Sequence, residues 1–346
     1  MFLNRYLLLE RNVDKSMSKK RMSSIALLVL ACLLVIAGCG EKANKEGQEE
    51  KVQPEHTSTS TRIVEHPYGK TEIPVQPKRI ATYLLEDSLI SLDVPFIYSF
   101  DLPGYYLHDQ IAAKNIPTSG ALPLNVEAVA ASNPDLIIIS QYAVEDQLGY
   151  DKLNLIAPTI AYDPNDWEGS LIKIGEALGL EDKAAAVISA YKEHIIEVKD
   201  SIVKKVGTDK TVALIRPLAK DWQLFYPTFD SFTKIFYEEL GLNVDESVAA
   251  SQRESSNDWG DNLSLEVLPK LKSDYIFSMY GSSLSDNEEF ETERQSVKDF
   301  EKSSLWKNLP AVQSNQVGYI SGRHWMTSGF IADKMKLDDV LGFLTK

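Results

Sequence analysis

The sequence predicts an α/β protein: two α/β lobes with central, mainly parallel sheets, joined by one long spine helix. Three observations predict it. Short apolar runs alternate with helix-period stretches in both halves of the chain, the pattern of repeated βα units. Between the halves, EDKAAAVISAYKEHIIEVKDSIVKKVG (residues 181–207) reads as a single amphipathic helix. A block in the first half also returns in the second with the same internal spacing. A chain of 346 residues is long enough for two separate cores.

The spine is the clearest element. Ala184, Val187, Ile188, Tyr191, Ile195, Val198, Ile202 and Val206 recur at the spacing of one buried stripe. Glu181 and Asp182 open its first turn, and Lys204 and Lys205 close its last, as the helix dipole favours. Gly207 supplies the stop. At about 1.5 Å per residue such a helix spans roughly 40 Å, more than most helices inside a compact domain. An ordinary long helix packed on one domain is the alternative; it leaves unexplained why strand–helix alternation restarts after it.

The chain opens differently. Lys19, Lys20 and Arg21 precede the apolar run IALLVLACLLVIA at residues 25–37. That run is too short to cross a bilayer and suits the apolar core of a secretory signal. It ends in Ile36-Ala37-Gly38-Cys39, which resembles a bacterial lipoprotein cleavage box. Residues 1–38 are therefore expected to be a lipoprotein signal peptide, with Met17 a second candidate start, and Cys39 to carry acyl chains. A plain signal peptide with an incidental Cys39 is the alternative. Residues 39–61 are polar and nearly free of apolar groups, so they are expected to form a lipidated, disordered tether. Together these place the body on the extracellular face of a cell membrane, anchored by lipid, in a bacterium of the Gram-positive type.

Residues 62–180 are expected to form the first lobe. RIVEH and TEIPV flank the turn PYGK as a hairpin. Strands are expected at 79–83, 95–99, 136–140 and 158–162, with LIIIS at 136–140 a continuous apolar run and so a buried parallel strand. Helices are expected at 86–94, 124–132, 144–157 and 166–178. Residues 208–346 are expected to form the second lobe. Its strands are TVALIRP, WQLFY, SDYIFSMY and VGYIS; its helices cover 229–242, 264–271, 304–309 and 329–345. The acidic stretch 281–295 reads as a loop. Glu127 and Glu266 each open a short helix, and Asp135 and Asp274 follow at the same distance, just before a buried strand. Chance is the alternative, since both placements are common.

Several blocks in order carry a resemblance: the lipoprotein box at Cys39, IPVQPKRIAT, LNVEAVAASNPDLIIIS, the spine, SLEVLPKLKSDYIF and VGYISGRHWMTSGF. Over residues 62–345 the chain resembles the substrate-binding lipoproteins of iron-siderophore ABC importers, the group that also holds vitamin B12 and haem binders. That resemblance implies a ligand cleft between two lobes bridged by one stiff helix, and small lobe movements. It implies a ferric siderophore as ligand and an ABC permease with a cytoplasmic ATPase as partner. It also implies that one glutamate per lobe docks on permease arginines, at the positions of Glu127 and Glu266 here. Two exposed carboxylates would fix docking register electrostatically; helix N-terminal acids doing dipole work alone are the alternative.

Cleft candidates lie at strand ends. Arg216 follows the apolar run Val212-Ala213-Leu214-Ile215 of the strand TVALI, and its planar fork suits hydroxamate or carboxylate oxygens. The resemblance points the same way, because hydroxamate binders often carry an arginine after this strand. Trp222, Tyr226, Trp259, Tyr280, Arg323, His324 and Trp325 are candidates from the second lobe, and Tyr83, Tyr105 and Tyr142 from the first. Rings would pack on the chelate's arms and cations would face its oxygen rim; core packing is the alternative for each ring. Cleft cations (Arg216, Lys220, Arg253, Arg323, His324) are few and scattered, which leans toward a hydroxamate over a trianionic catecholate and leaves a carboxylate siderophore open.

Composition narrows the classes. The net charge is −14, and the first 38 residues carry six Lys/Arg against two Asp/Glu, so the remainder is more acidic still. That excludes nucleic acid as the expected partner. The only cysteines, Cys32 and Cys39, lie at the start, so the body is expected to have no disulfide and no direct metal site. The sequence contains no phosphate loop, Gly-x-Ser-x-Gly or zinc-protease motif. The expectation is a monomeric carrier without cofactor and without enzymatic activity.

Overall fold

The structure is a computed structural model that describes residues 60–346 apart from Ala219. The signal peptide, Cys39 and the tether up to residue 59 lie outside the described residues. The expected tether ends sooner than read, because Thr61 already pairs with Pro74.

β1 (Thr61–His66) and β2 (Gly69–Pro74) form the expected hairpin. β3 (Ile80–Tyr83) leads to α1 (Glu86–Ser91), β4 (Ser99–Phe100), α2 (His108–Ala112), β5 (Thr118–Ser119), α3 (Val126–Ala131) and β6 (Leu136–Ser140). Then come α4 (Gln147–Asn154), β7 (Thr159–Tyr162) and α5 (Trp167–Leu178). The strand order β3-β6-β7 is parallel throughout, and every residue of the three strands is buried. Burial on both faces is why LIIIS of β6 reads as a nearly unbroken apolar run and why β3 and β7 carry no charged residue. Gly179, at φ 70°, ends α5 and turns the chain into the spine.

The spine, α6 (Glu181–Val206), has the predicted ends and stripe: Ala184, Tyr191, Val198 and Ile202 are buried. Tyr191 shows how it joins the lobes. Its ring meets Trp167 of the first lobe edge-on at 5.2 Å, and its hydroxyl donates to Glu239 of the second at 2.7 Å.

After the spine come β8 (Thr211–Pro217), β9 (Asp221–Phe225), α7 (Asp230–Lys234) with a π-turn over Ile235–Glu239, β10 (Asn243–Val244), α8 (Glu246–Glu254) and β11 (Gly260–Ser264). A 3₁₀ turn (Leu265–Lys270), β12 (Tyr275–Tyr280), α9 (Asn287–Phe300), α10 (Ser304–Lys307) and α11 (Pro310–Gln313) follow. β13 (Val317–Ser321), α12 (Gly322–Trp325) and the terminal α13 (Phe330–Leu344) complete the chain. The sheet order is β11-β9-β8-β12-β13, with β10 beside the start of β8. β8, β12 and β13 are parallel, while β9 and β11 are antiparallel additions at one edge.

Three expectations change. The strand expected at 95–99 contracts to β4 at Ser99–Phe100. The stretch 281–295 is mostly helix, not loop. Asp286 caps α9 by accepting from the amides of Glu288 and Glu289 at 2.8 and 2.9 Å, and the Glu289 side chain returns the bond, a capping box. Its inward stripe is only Phe290, Glu293, Val297 and Phe300, and the acidic outer face masks that period. The expected helix at 264–271 contracts to the 3₁₀ turn, because Ser264 ends β11 and Pro269 has no amide to donate.

The repeated block proves structural. Asp135, just before β6, accepts from the amides of Lys78 and Arg79 at 2.7 and 2.9 Å, at the entry to β3. Asp274, just before β12, accepts from the amide and hydroxyl of Thr211 at 2.9 and 2.8 Å, at the entry to β8. In each lobe the aspartate ties its own strand to the start of the parallel neighbour. Hydrogen bonds to the ionised form hold the Asp274 carboxyl below its usual value against the opposing effect of burial.

Candidate functional site

The C-terminal ends of the parallel strands of both lobes meet. Gly104, in the loop after β4, lies against Arg323, just after β13: a Cβ on Gly104 would sit 2.1 Å from Nη2 of that arginine. Arg216, the penultimate residue of β8, and Tyr280, the last of β12, complete the second-lobe side.

Both arginines are held by one helix, α9. Arg216 is buried, at 4% exposure, and its Nη2 donates to Glu293 at 2.7 Å. The same Glu293 oxygen accepts from the amide of Gly281 at 3.0 Å. Arg323 donates to the Asn287 amide oxygen at 2.6 Å and lies 3.8 Å over the Phe290 ring. Phe290 also packs 5.1 Å from Tyr280, and Gly281 permits this, because a Cβ there would sit 2.3 Å from the ring. The Nε–H groups of Arg216 and Arg323 are buried with no partner among the described residues. Burial lowers the pKa of Arg323, although a guanidinium stays charged at any working pH.

The first-lobe side is acidic and aromatic. Leu84 follows β3 at φ 60°, an uncommon value for a residue other than glycine. Glu86 is fully buried; one oxygen accepts from the amides of Leu84 and Phe100 at 3.0 and 2.9 Å, and the other has no partner among the described residues. Burial pushes its carboxyl up to about 7. Asp87 accepts from Tyr106 at 2.9 Å and from the amides of Ile331 and Ala332 at 3.1 Å, so it caps the terminal helix, whose own N-cap residue is Gly329. Burial pushes Asp87 up to about 6. Tyr105 stacks edge-on against Phe100 at 5.1 Å and Tyr106 at 4.8 Å. Burial also raises the pKa of both phenols.

A cavity of about 310 Å³ lies beside the spine, lined by Asn165 and Trp167 of the first lobe and by Phe232, Lys234 and Glu239 of the second. Its charges are used in joining elements. Lys234 pairs with Glu239 at 3.5 Å, Trp167 donates to Asp333 at 2.8 Å, and Lys336 donates to Asp333 at 2.8 Å.

The structure brings together Arg216, Tyr280, Arg323 and Tyr105 from the sequence candidates. Others are redirected. Trp222 is buried in a separate core of the second lobe and donates to Ser264 O at 3.1 Å. Tyr226 is buried in the same core and donates to Asp261 at 2.7 Å. His324 and Trp325 both bond Asp339 of the terminal helix at 2.7 Å, and Trp325 is fully buried against Phe236. Tyr83 is buried and donates to the carbonyls of Ser119 and Ala121. These five spend their polar groups on their own surroundings, because a strand-end position does not say which way a side chain turns. Trp259 sits half-buried, 6.1 Å from Phe225, in a four-ring cluster with Phe229 and Phe232. Tyr142 is half-buried at the end of β6 and accepts from Asn165 at 3.2 Å. Among the other basic candidates, Lys220 is exposed and Arg253 pairs with Glu246 at 2.6 Å on the surface. Glu127 and Glu266 are both exposed, each in the first turn of its short helix, and make no ion pair among the described residues. Sequence reasoning missed Asn287, Phe290 and Glu293. The available signal was the Asp286–Glu289 spacing of a capping box, followed by apolar residues at helical intervals.

Comparison with known proteins agrees with this geometry. A sequence model of the family described as periplasmic binding protein matches residues 102–323. A probable siderophore-binding lipoprotein of Bacillus subtilis, YfiY, is 30% identical over 95% of this chain and 99% of that protein. The iron(3+)-hydroxamate-binding protein FhuD of Bacillus subtilis is 30% identical over 93% of this chain and 95% of its own length. Among solved structures, the periplasmic binding protein component of a Fep/Fec-like ferrichrome ABC transporter from Bacillus subtilis superposes with TM-score 0.67 at 26% identity, over 81% of this chain and 99% of that one. Staphylococcus aureus SirA shares the fold at TM-score 0.65 and 23% identity, over 82% of this chain and 98% of its own. Two lobes of parallel strands, one spine and a facing set of strand ends, with these matches along nearly the whole described chain, place it in the periplasmic binding protein family.

Proposed function

We propose that this protein captures a ferric siderophore of the hydroxamate kind outside the cell and delivers it to an ABC permease driven by a cytoplasmic ATPase. The observation that carries this is the pair of arginines where the two lobes meet, Arg216 buried and Arg323 half-buried, beside Tyr280, Phe290 and Tyr105. Guanidinium N–H groups suit the oxygen rim of a chelate, and rings suit its apolar arms. The chelator wraps the iron, so the protein recognises an organic shell and acts as a carrier, not an enzyme. Relatives named as iron-hydroxamate and siderophore binders support the ligand class.

The anchor is part of the same reading. Cys39 would carry the acyl chains, so that the body stays at the outer face of the membrane near its permease; the lipoprotein name of a relative supports this. Glu127 and Glu266 would grip the permease, one from each lobe.

Fluorescence titration tests the ligand. A ferric trihydroxamate should quench the intrinsic emission of the five tryptophans at micromolar concentration or below. Absence of quenching by any hydroxamate, beside saturation by a catecholate, carboxylate, haem or vitamin B12 chelate, would overturn the ligand class.

A further inference from the structure

The two arginines that would meet a ligand are each met by a side chain of α9, and the one on Arg216 is a carboxylate. Glu293 covers the guanidinium: the Arg216 side chain is 5% exposed and that of Glu293 is 32% exposed. Glu293 is held on two sides, by Arg216 Nη2 and by the Gly281 amide where β12 ends, so its oxygen occupies a position at which an anionic ligand atom would be bound. On the other arginine the partner is neutral, the amide oxygen of Asn287. Asp286 and Glu291, on the same helix and at its cap, act electrostatically on Arg323. Across from them the first lobe presents Glu86 and Asp87 behind Tyr105 and Tyr106.

The charge sum decides what such a place can accept. Two guanidiniums are set among Glu293, Asp286 and Glu291, and Glu291 is itself paired with Arg294 at 3.1 Å, so three cations stand against three anions and the field is not strongly positive. The Arg216 Nε–H is buried with no partner among the described residues, so one guanidinium donor is unspent while Glu293 stays in place. A polyanionic chelate would have to take Glu293's place and then bind beside the displaced carboxylate, which stays tethered on α9.

We propose that Glu293 sets the charge selectivity of the cleft, standing on Arg216 as an internal counter-ion that admits ferric chelates of low net charge and opposes trianionic ones. This rests on the siderophore reading above and extends it to the discriminating residue.

The test compares the wild type with Glu293→Gln and Glu293→Asp against a neutral ferric trihydroxamate, a ferric carboxylate chelate and a trianionic ferric tricatecholate. Gln keeps an acceptor for Arg216 and the Gly281 amide and removes the charge; Asp keeps the charge on a shorter arm. In Glu293→Gln, affinity should rise in step with the ligand's negative charge, by about tenfold or more for the tricatecholate and by less than about threefold for the trihydroxamate, as expected for removing one nearby charge in a water-like dielectric. Glu293→Asp should keep the wild-type ranking of the three ligands. Equal changes for all three in Glu293→Gln would overturn the proposal, as would a wild type that already prefers the tricatecholate. So would a Glu293→Asp protein that behaves like Glu293→Gln, since geometry would then be the cause. Melting temperatures of both variants identify any loss of fold, and the Asp ranking is then decisive. The siderophore reading fails separately, by absence of binding of all three chelates to the wild type.

Discussion

The strand ends of the two lobes draw in opposite charges and satisfy them in opposite ways. In the first lobe the charges are Glu86 and Asp87, both buried, and backbone amides hold them: those of Leu84 and Phe100 hold one oxygen of Glu86, and those of Ile331 and Ala332, with the Tyr106 hydroxyl, hold Asp87. In the second lobe they are the buried Arg216 and the half-buried Arg323, and side chains of a single helix satisfy them. Backbone amides cannot leave without unfolding a turn. A glutamate on a helix can leave by a change of rotamer. The first arrangement builds the fold; the second is the one proposed above to face a ligand. A buried charge by itself does not mark a functional site; what satisfies it must be known as well.

Stability against pH should break or sharpen that contrast most. The Glu86 carboxyl is raised from 4.5 to about 7 by burial, with the negative charge of Asp101 acting in the same direction and hydrogen bonds from backbone amides opposing. A raised folded value means that its contribution to stability is present in full below its unfolded pKa and is lost as the pH rises through the folded one. Between pH 4.5 and pH 8 the wild type should lose about 3 kcal/mol more than Glu86→Gln, because a tenfold difference in proton affinity between the folded and unfolded chain is worth about 1.4 kcal/mol. Denaturant unfolding at several pH values measures this, and parallel curves for the two proteins would show that the carboxyl is not held in its protonated form. Asp87 behaves in the same sense over a lower window, from 3.8 to about 6.

Asp87→Ala should have the next largest effect. It removes the cap of the terminal helix and the acceptor for Tyr106, and a lost cap with a buried hydroxyl left alone costs about 2 kcal/mol. Amide exchange at Ile331 and Ala332 should quicken with it. Unchanged exchange there would mean that Asp87 does not hold the helix. Gly329 belongs to the same contact, since a Cβ on it would sit 2.4 Å from the Asp87 carboxyl.

The contrast also explains what the sequence could show. The spine was legible to its ends, because a stripe of Ala184, Tyr191, Val198 and Ile202 with acids first and lysines last admits one structure. The parallel strands were legible because they are buried on both faces. Arg216 was legible because a charge after four apolar residues must find a partner. Its partner was not, since Glu293 lies 77 residues away inside an acidic stretch whose outward charges hide the helical period. Trp222 and Trp325 were read as cleft rings because they stand at strand ends; their direction depends on register and on distant acceptors, Ser264 and Asp339. Glu86 and Asp87 passed as ordinary first-turn acids, and only the terminal helix, more than 240 residues on, shows what Asp87 caps.

The smallest effect on the fold should come from the two exposed carboxylates, Glu127 and Glu266. Unlike the buried Glu86 and Asp87 they are exposed, and neither makes an ion pair among the described residues, so little of the fold depends on their charge. Glu127→Arg combined with Glu266→Arg should change unfolding free energy by less than about 0.5 kcal/mol, as for surface positions elsewhere. Binding of a ferric hydroxamate in solution should persist. Uptake of the iron-55 chelate by cells carrying only this variant should fail, since two like charges would then face the permease where two opposite charges are proposed to grip it. In the same cells Cys39→Ser should shed the protein into the medium without acyl label. Normal uptake by the double variant would remove the docking role and leave both glutamates as helix N-terminal acids. Lost ligand binding would instead place them in the cleft, against the surface position that their exposure gives them.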